Sequence, residues 1–334
     1  MQDVARAAGV SAKTVSNVLG DYPYVREETR ARVMAAVSDL GYQMNFAARN
    51  LKSGRTGLIM LALPELSLPY FAELADAVID AARGEGYTVL VERTGATREG
   101  ELAVLGGGRL RMVDGLIFSP LALGPEDAGV LAVDFPVVLL GERIFAGPVD
   151  HVTMANESGA EQATRHLLAA GRRRIAVIGV HSGEAMGSGP LRLRGYAAAL
   201  GRAGLTVDPE LLVEAGEWHR ETGAQAMHRL IDSGVGFDAV FALNDALALG
   251  AMYVLQRRGF AVPGDVAVIG FDNVDDGAFS TPSLSTIDPD RRHIARTAVS
   301  LLLRRIAGDD SLAEPVEIAP PVTLVVREST MGRS

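Results

Sequence analysis

From Gly57 to about residue 330 the chain alternates short apolar runs with amphipathic stretches, and few folds accommodate that pattern. The strand-like runs are Leu58–Leu63, Tyr87–Val91, Gly115–Phe118, Val137–Leu140, Ile175–Gly179, Ala239–Leu243 and Val266–Gly270. Helical patterns lie between them, among them Phe71–Arg83, Gly159–Ala170, Pro190–Ala203 and Ala246–Arg258. Strands alternating with helices predict an α/β, doubly wound parallel sheet. Val113-Asp114-Gly115-Leu116-Ile117 is echoed by Phe237-Asp238-Ala239-Val240-Phe241, which points to two similar subdomains. Ligands in such sheets bind outside the carboxyl ends of the strands, here in the cleft between the halves.

The first 55 residues follow another rule. Val4 and Ala8 share one helical face; Val15, Val18 and Leu19 share another, with Gly9-Val10-Ser11 between them. Gly9 can take the positive φ of a tight turn, and Ser11 is a good N-cap for the second helix. Lys13, Thr14 and Asn17 are left facing outward. A third helix is expected from about Glu27 to Leu40, with Val33, Val37 and Leu40 inward and Gly41 ending it. Three short helices of this kind describe a helix-turn-helix unit, whose second helix enters the major groove of DNA. Periodicity alone fits a small helical dimerisation cap equally well.

Charge separates the two parts. The whole chain carries a net −9, yet residues 1–55 hold eight Lys/Arg (Arg6, Lys13, Arg26, Arg30, Arg32, Arg49, Lys52, Arg55) against five Asp/Glu. A basic head on an acidic body puts any phosphate contacts at the N-terminus.

The literal residues of the head decide between the two readings. Asp3-Val4-Ala5-x-x-Ala8-Gly9-Val10-Ser11-x-x-Thr14-Val15-Ser16-x-Val18-Leu19, then Val25-x-x-x-Thr29-Arg30-x-Arg32-Val33 and Leu40-Gly41-Tyr42, resembles the head of the lactose-repressor (LacI/GalR) family almost position for position. The resemblance implies that Ala12, Lys13 and Asn17 read bases. Asn can bond bidentately to adenine, Lys can reach guanine acceptors and an Ala methyl can pack on thymine. Many family members carry Arg where Asn17 stands, so a different half-site is expected. Ser11, Thr14 and Ser16 are expected as phosphate contacts or caps. Met1 begins inside the turn where the family places a capping Thr, so a start upstream is expected. Arg26 replaces a Ser cap, and Arg is a poor N-cap.

Residues 45–56 read as a linker of roughly two helical turns, too few to be stable alone in water. The segment resembles the family's hinge helix, which folds on the operator and wedges a leucine into the minor groove. That leucine would be Leu51. Ala48 would let two symmetry-related hinges approach, and Asn45 and Lys52 would add contacts. Met44 replaces a usual proline, which implies a looser entry to the hinge. The implied organisation is a helix-turn-helix domain at 1–43, a hinge at 44–56 and an effector-binding core at 57–330. The core would comprise an N-subdomain of about 57–157 and 286–316 and a C-subdomain of about 158–285 and 317–330.

The body resembles the periplasmic-binding-protein-like core of the same family, and the resemblance carries pocket positions with it. Tyr70 and Phe71 would wall the N-subdomain side. Arg192 would grip ligand oxygens, Asn244 and Asp272 would supply polar groups at strand ends, and Trp218 would flank the ligand. Ser119, Glu142 and Ser188 are further candidates. Carboxylates accept from paired hydroxyls, a guanidinium donates to them and an aromatic face packs on the C–H side of a sugar. A sugar or sugar-like effector is therefore expected ahead of a nucleobase.

Other classes find little support. There is no cysteine, hence neither disulfide nor thiolate metal site, and the six His have no metal-ligand spacing. Gly106-Gly107-Gly108 follows no strand and precedes no Gly-Lys-Ser/Thr, so it is no phosphate loop; it should weaken or interrupt a surface helix. No nucleophile elbow or Ser/His/Asp order argues for catalysis, and no cofactor is called for. No run approaches the roughly 18 apolar residues of a membrane span, and the start lacks the regions of a signal peptide. Those two observations count against a sugar-transport protein with the same core and fit the cytoplasm. Only residues 331–334 follow Thr330 and they hold no leucine heptad, so a homodimer on operator DNA is expected rather than a tetramer.

Overall fold

The computed structural model describes residues 1–20, 22–42, 55–309 and 314–331. The chain divides into two compact units, Met1–Thr56 and Gly57–Ser334.

In the first unit, α1 (Gln2–Ala8), α2 (Ala12–Leu19) and α3 (Glu27–Asp39) enclose a small core. Gly9 closes α1 in the left-handed region at φ +62°. The Ser11 hydroxyl then caps α2, accepting from the Thr14 N–H at 3.1 Å. Val4, Val15 and Val33 are fully buried, joined by Ala5, Ala8, Val18 and Ala36. One expectation fails: Leu40 lies beyond the last turn of α3 and is 50% exposed, and Ala36 fills the inward position instead. Arg26 caps α3 without a side-chain bond, as its chemistry requires; Glu27 and Glu28 in the first turn offset the helix dipole.

In the second unit the strands are β1 (Leu58–Leu63), β2 (Thr88–Arg93), β3 (Gly115–Phe118), β4 (Val137–Leu140), β5 (Asp150–Val152) and β6 (Ile175–Val180). They continue as β7 (Leu212–Glu214), β8 (Ala239–Ala242), β9 (Ala267–Ile269), β10 (Thr286–Asp288), β11 (Glu317–Ile318) and β12 (Thr323–Val325). The α-helices of more than one turn are α4 (Pro69–Gly84), α5 (Arg98–Gly106), α6 (Asn156–Ala169), α7 (Ser188–Arg202), α8 (Arg220–Asp232), α9 (Asp245–Arg257) and α10 (Arg291–Ala307).

A six-stranded sheet runs β11-β5-β4-β3-β1-β2 and a four-stranded sheet runs β7-β6-β8-β9, each wholly parallel. Helices cover both faces, as parallel sheets require. On the first sheet α4 and α10 pack over Ile59, Leu61 and Leu63. On the second, α6 and α7 cover one face and α8 and α9 the other. Burying such a Leu or Ile side chain is worth about 1.5–3 kcal/mol, so the central strands hold each half together. β2, at a sheet edge, is largely exposed.

Three details depart from the sequence reading. The strands β5 and β7 are only three residues long and include charged residues, so no apolar run marks them. Just past the expected limit of the first half at about 316, β11 still pairs in parallel with β5 of the first sheet. Thr286–Asp288 joins neither main sheet; β10 pairs antiparallel with β12. The glycine triplet does end a helix: α5 stops at Gly106 and a tight 3-10 turn follows from Gly108.

Candidate functional site

In the head, α2 presents its polar face as the sequence implied. Ala12 and Lys13 are exposed in the first turn, and Thr14, Ser16 and Asn17 are partly exposed around it, while Val15 and Val18 anchor the opposite face in the core. Ser11 also exchanges a hydroxyl bond with Thr14 at 2.9 Å, so both hydroxyls are tied to the cap. Asn45, Ala48, Leu51 and Lys52 lie outside the described residues.

In the body, Tyr70, Phe71, Ser119, Glu142, Ser188, Arg192, Trp218, Asn244 and Asp272 all line one cavity of about 470 Å³. The reason is topological. Ser119 follows β3, Glu142 follows β4, Asn244 follows β8 and Asp272 follows β9, and the carboxyl ends of both sheets face this cleft. Tyr70 and Phe71 enter from the first turn of α4, with ring centroids 5.3 Å apart, edge to face.

Most of these polar groups are already engaged. Arg192 is 2% exposed. Its Nε donates to Asn156 Oδ1 at 2.7 Å, one Nη donates to the Leu243 carbonyl, and the guanidinium lies 3.6 Å over the Phe271 ring. The other Nη faces Asp272 Oδ1 at 3.5 Å, wide for a hydrogen bond. Asn244 caps α9 by accepting from Leu247 N–H at 2.8 Å and donates to the Trp218 carbonyl at 3.0 Å, so both ends of its amide are spent. Glu142 accepts from Thr153 Oγ1 and the Met154 N–H on its own side, and from the Ser188 hydroxyl across the cleft. Trp218 is pinned through Nε1 to the Gly179 carbonyl at 3.0 Å, with His181 stacked 5.9 Å from its centroid.

Asp272 is the group with the most left to offer. It sits at φ +112°, a region L-residues rarely adopt. Its N–H bonds to the Ile287 carbonyl at 2.8 Å and its carbonyl accepts from Arg291. Burial pushes its carboxyl up to about 6, against the pull of Arg192 and Arg291. Tyr70 is raised above the ordinary tyrosine value, first by burial and then by the charges of Asp272 and Glu142, so it stays a neutral hydroxyl. The cleft thus joins a carboxylate, a guanidinium edge and a phenol beside a partly exposed indole. Such a set can accept from and donate to a hydroxylated ligand.

Comparison with known proteins identifies the assembly. Residues 1–45 match the bacterial regulatory proteins of the lacI family, and residues 164–330 match the periplasmic binding protein-like domain. The HTH-type transcriptional repressor PurR of Pectobacterium atrosepticum is 34% identical over 332 residues, covering 98% of this chain and 96% of that protein. The chain belongs to the LacI family. Among solved structures, a LacI-family regulator from Sanguibacter keddieii is 52% identical, covering 83% of this chain and 100% of that one, with a TM-score of 0.77. The Lac repressor dimer bound to operator and the anti-inducer ONPF is 29% identical, covering 99% of this chain and 98% of that one, with a TM-score of 0.84.

This LacI-family chain is accordingly a DNA-binding transcriptional repressor, and a regulator rather than an enzyme. Among the described residues no helix is long and apolar enough to cross a membrane.

Several cleft residues escaped the sequence reading. Arg143, next to Glu142, reaches across to the Glu184 carboxylate and to the Met186 carbonyl at 2.7 Å. Glu184 in turn holds His181 at 3.2 Å, and that hydrogen bond raises the imidazole above its usual value. His219 meets Glu65 at 3.2 Å, a further contact between the two lobes. The strand-end rule applied to β4 pointed to this stretch, but only the folded loops show which side chains cross. Behind Asp272, Asp245 is fully buried between Thr286 Oγ1 at 2.6 Å and the Val274 N–H at 2.9 Å. Burial and the Asp272 charge push it well above the carboxylate range.

Proposed function

We propose that this repressor binds a pseudo-palindromic operator as a homodimer and is controlled by a sugar or sugar-like effector in the cleft. In this reading residues 1–43 read DNA, 44–56 form the hinge and the two halves of the body form the sensor; operator binding places the protein in the cytoplasm. The observation that carries the effector class is the pairing of Asp272 with one edge of Arg192, 3.5 Å apart, beside Trp218. Ligand hydroxyls can enter between them, accept from the guanidinium and donate to the carboxylate, while sugar C–H groups meet the indole. A nucleobase is the second reading, favoured by the Tyr70 and Phe71 rings on the cavity wall.

For the head, Lys13 and Asn17 stand for base readout and the Ser11–Thr14 turn for phosphate positioning. Leu51→Ala should weaken operator binding and leave effector binding unchanged, as expected of a wedge that acts only on kinked DNA. Equal operator affinity in the variant removes Leu51 from that role.

The test uses Trp218, the single tryptophan of the chain. Emission is titrated with mono- and disaccharides and, separately, with purine bases, and operator affinity is measured by mobility shift with each. A sugar that saturates the emission change should also move operator affinity, by a coupling of about 1–3 kcal/mol. Saturation by a purine and by no sugar overturns the effector class. Saturable binding with operator affinity untouched contradicts the sensor role.

A further inference from the structure

The segment Ser119–Gly124 forms part of the cleft wall, yet it belongs to no strand and no helix. Its last ladder bond is Ser119 N–H to the Ala62 carbonyl at 3.0 Å. Beyond Pro120 three successive backbone donors, on Leu121, Ala122 and Leu123, point inward with no carbonyl opposite them. All three go to one side chain. Glu101, fully buried in the first turn of α5, accepts from Leu121 N–H at 2.7 Å and Ala122 N–H at 2.9 Å on Oε1, and from Leu123 N–H at 2.8 Å on Oε2. A buried carboxylate is stable in such a place only because it is met by several donors, and the donors in turn have nowhere else to go.

Two features join this brace to the cleft. Ser119, 5% exposed, and Leu121, 43% exposed, both line the cavity. The Leu123 carbonyl accepts from Arg143 Nε at 3.4 Å, and Arg143 is the residue that crosses to Glu184 and Met186. We propose that Glu101 is a positioning residue of the effector cleft, fixing the 119–123 wall and, through Leu123, the arginine that bridges the two lobes. The proposal rests on reading the cleft as the effector site.

The experiment is ligand-free, so its outcome is separate from the identity of the effector. Amide hydrogen exchange is followed in the full chain and in Glu101→Ala and Glu101→Gln. In Glu101→Ala the amides of Leu121, Ala122 and Leu123 should exchange at least about tenfold faster relative to those of Gly115–Phe118 in β3, because three bonds to one buried side chain are lost together. Glu101→Gln keeps one acceptor oxygen and turns an NH₂ toward the other amide, so only one end of the triplet should accelerate. A second arm uses the absence of native cysteine. Ser119→Cys is labelled with a cationic methanethiosulfonate with and without Glu101→Ala, and the rate should rise at least about fivefold when the wall is released. Unchanged exchange at 121–123, or equal acceleration in β3 and at the loop, overturns the proposal, since the second result is global destabilisation only. Unchanged labelling at position 119 shows that Glu101 does not govern the cavity wall and overturns it as well.

Discussion

On α2, Lys13 is exposed and Asn17 partly so, on a helix whose buried side does all the packing. In the cleft, Arg192 is 2% exposed and is held by Asn156, the Leu243 carbonyl, Asp272 and the face of Phe271. In the proposed reading the helix surface keeps structure and recognition on opposite faces, while the cleft asks the same side chains for both. Substitution of Lys13 or Asn17 should therefore change recognition without stability. Substitution in the cleft should change the two together.

The largest expected effect is on the cleft side of this comparison. Arg192→Ala removes one of the two cations that pull on the buried Asp272 carboxylate and strands the Leu243 carbonyl. Loss of one partner from a buried pair costs about 3–5 kcal/mol, which chemical denaturation should register. A variant as stable as the parent would break the comparison, because Arg192 would then be a ligand contact only.

Asp272 sharpens it through pH. Its folded value of about 6 lies above the ordinary 3.8, so the native state binds more protons than the unfolded chain between those values. That contribution is present below the unfolded value and is lost as pH rises through the folded one. Asp272→Asn should thus gain stability relative to the parent more at neutral pH than at about pH 4. Effector affinity should run the other way, falling as the parent is taken below about 6 and the acceptor carboxylate is protonated. A pH-independent stability difference between the two proteins would remove Asp272 from this role.

On the head side, Lys13→Ala and Asn17→Ala should each alter discrimination at one base pair by about 1–3 kcal/mol, read by mobility shift on single-base operator variants. Their thermal unfolding should match the parent. Uniform loss across all sequences would make them phosphate contacts. The smallest effect belongs to Ser11→Ala, which removes the α2 cap and should cost the head about 1 kcal/mol in thermal melts. A larger loss of operator affinity than that would assign Ser11 a phosphate contact in addition.

How much was legible follows the same division. Along α2 the spacing of Val15 and Val18 fixes which side chains face out, since a helix converts position in sequence directly into direction in space. Leu40 was misplaced because it lies past the last turn, where that conversion ends. In the body, β1, β3 and β4 were legible to the residue because a buried parallel strand is an unbroken apolar run. β5 and β7 were not, because Asp150-His151-Val152 and Leu212-Val213-Glu214 are short and broken by polar residues.

By itself the sequence determined the two-part organisation, the exposed polar face of α2, the strand-and-helix order of the body and the family to which the chain belongs. It also named the residues that gather at the cleft, because strand ends and motif positions are local features. Only the tertiary structure decided what those residues are free to do. That Asn244 is spent on Leu247 and Trp218, that Arg143 crosses to Glu184, and that Glu101 holds the wall at 121–123 depend on partners far away along the chain. Hydrogen bonds are satisfied by neighbours in space, and folding alone brings those neighbours together.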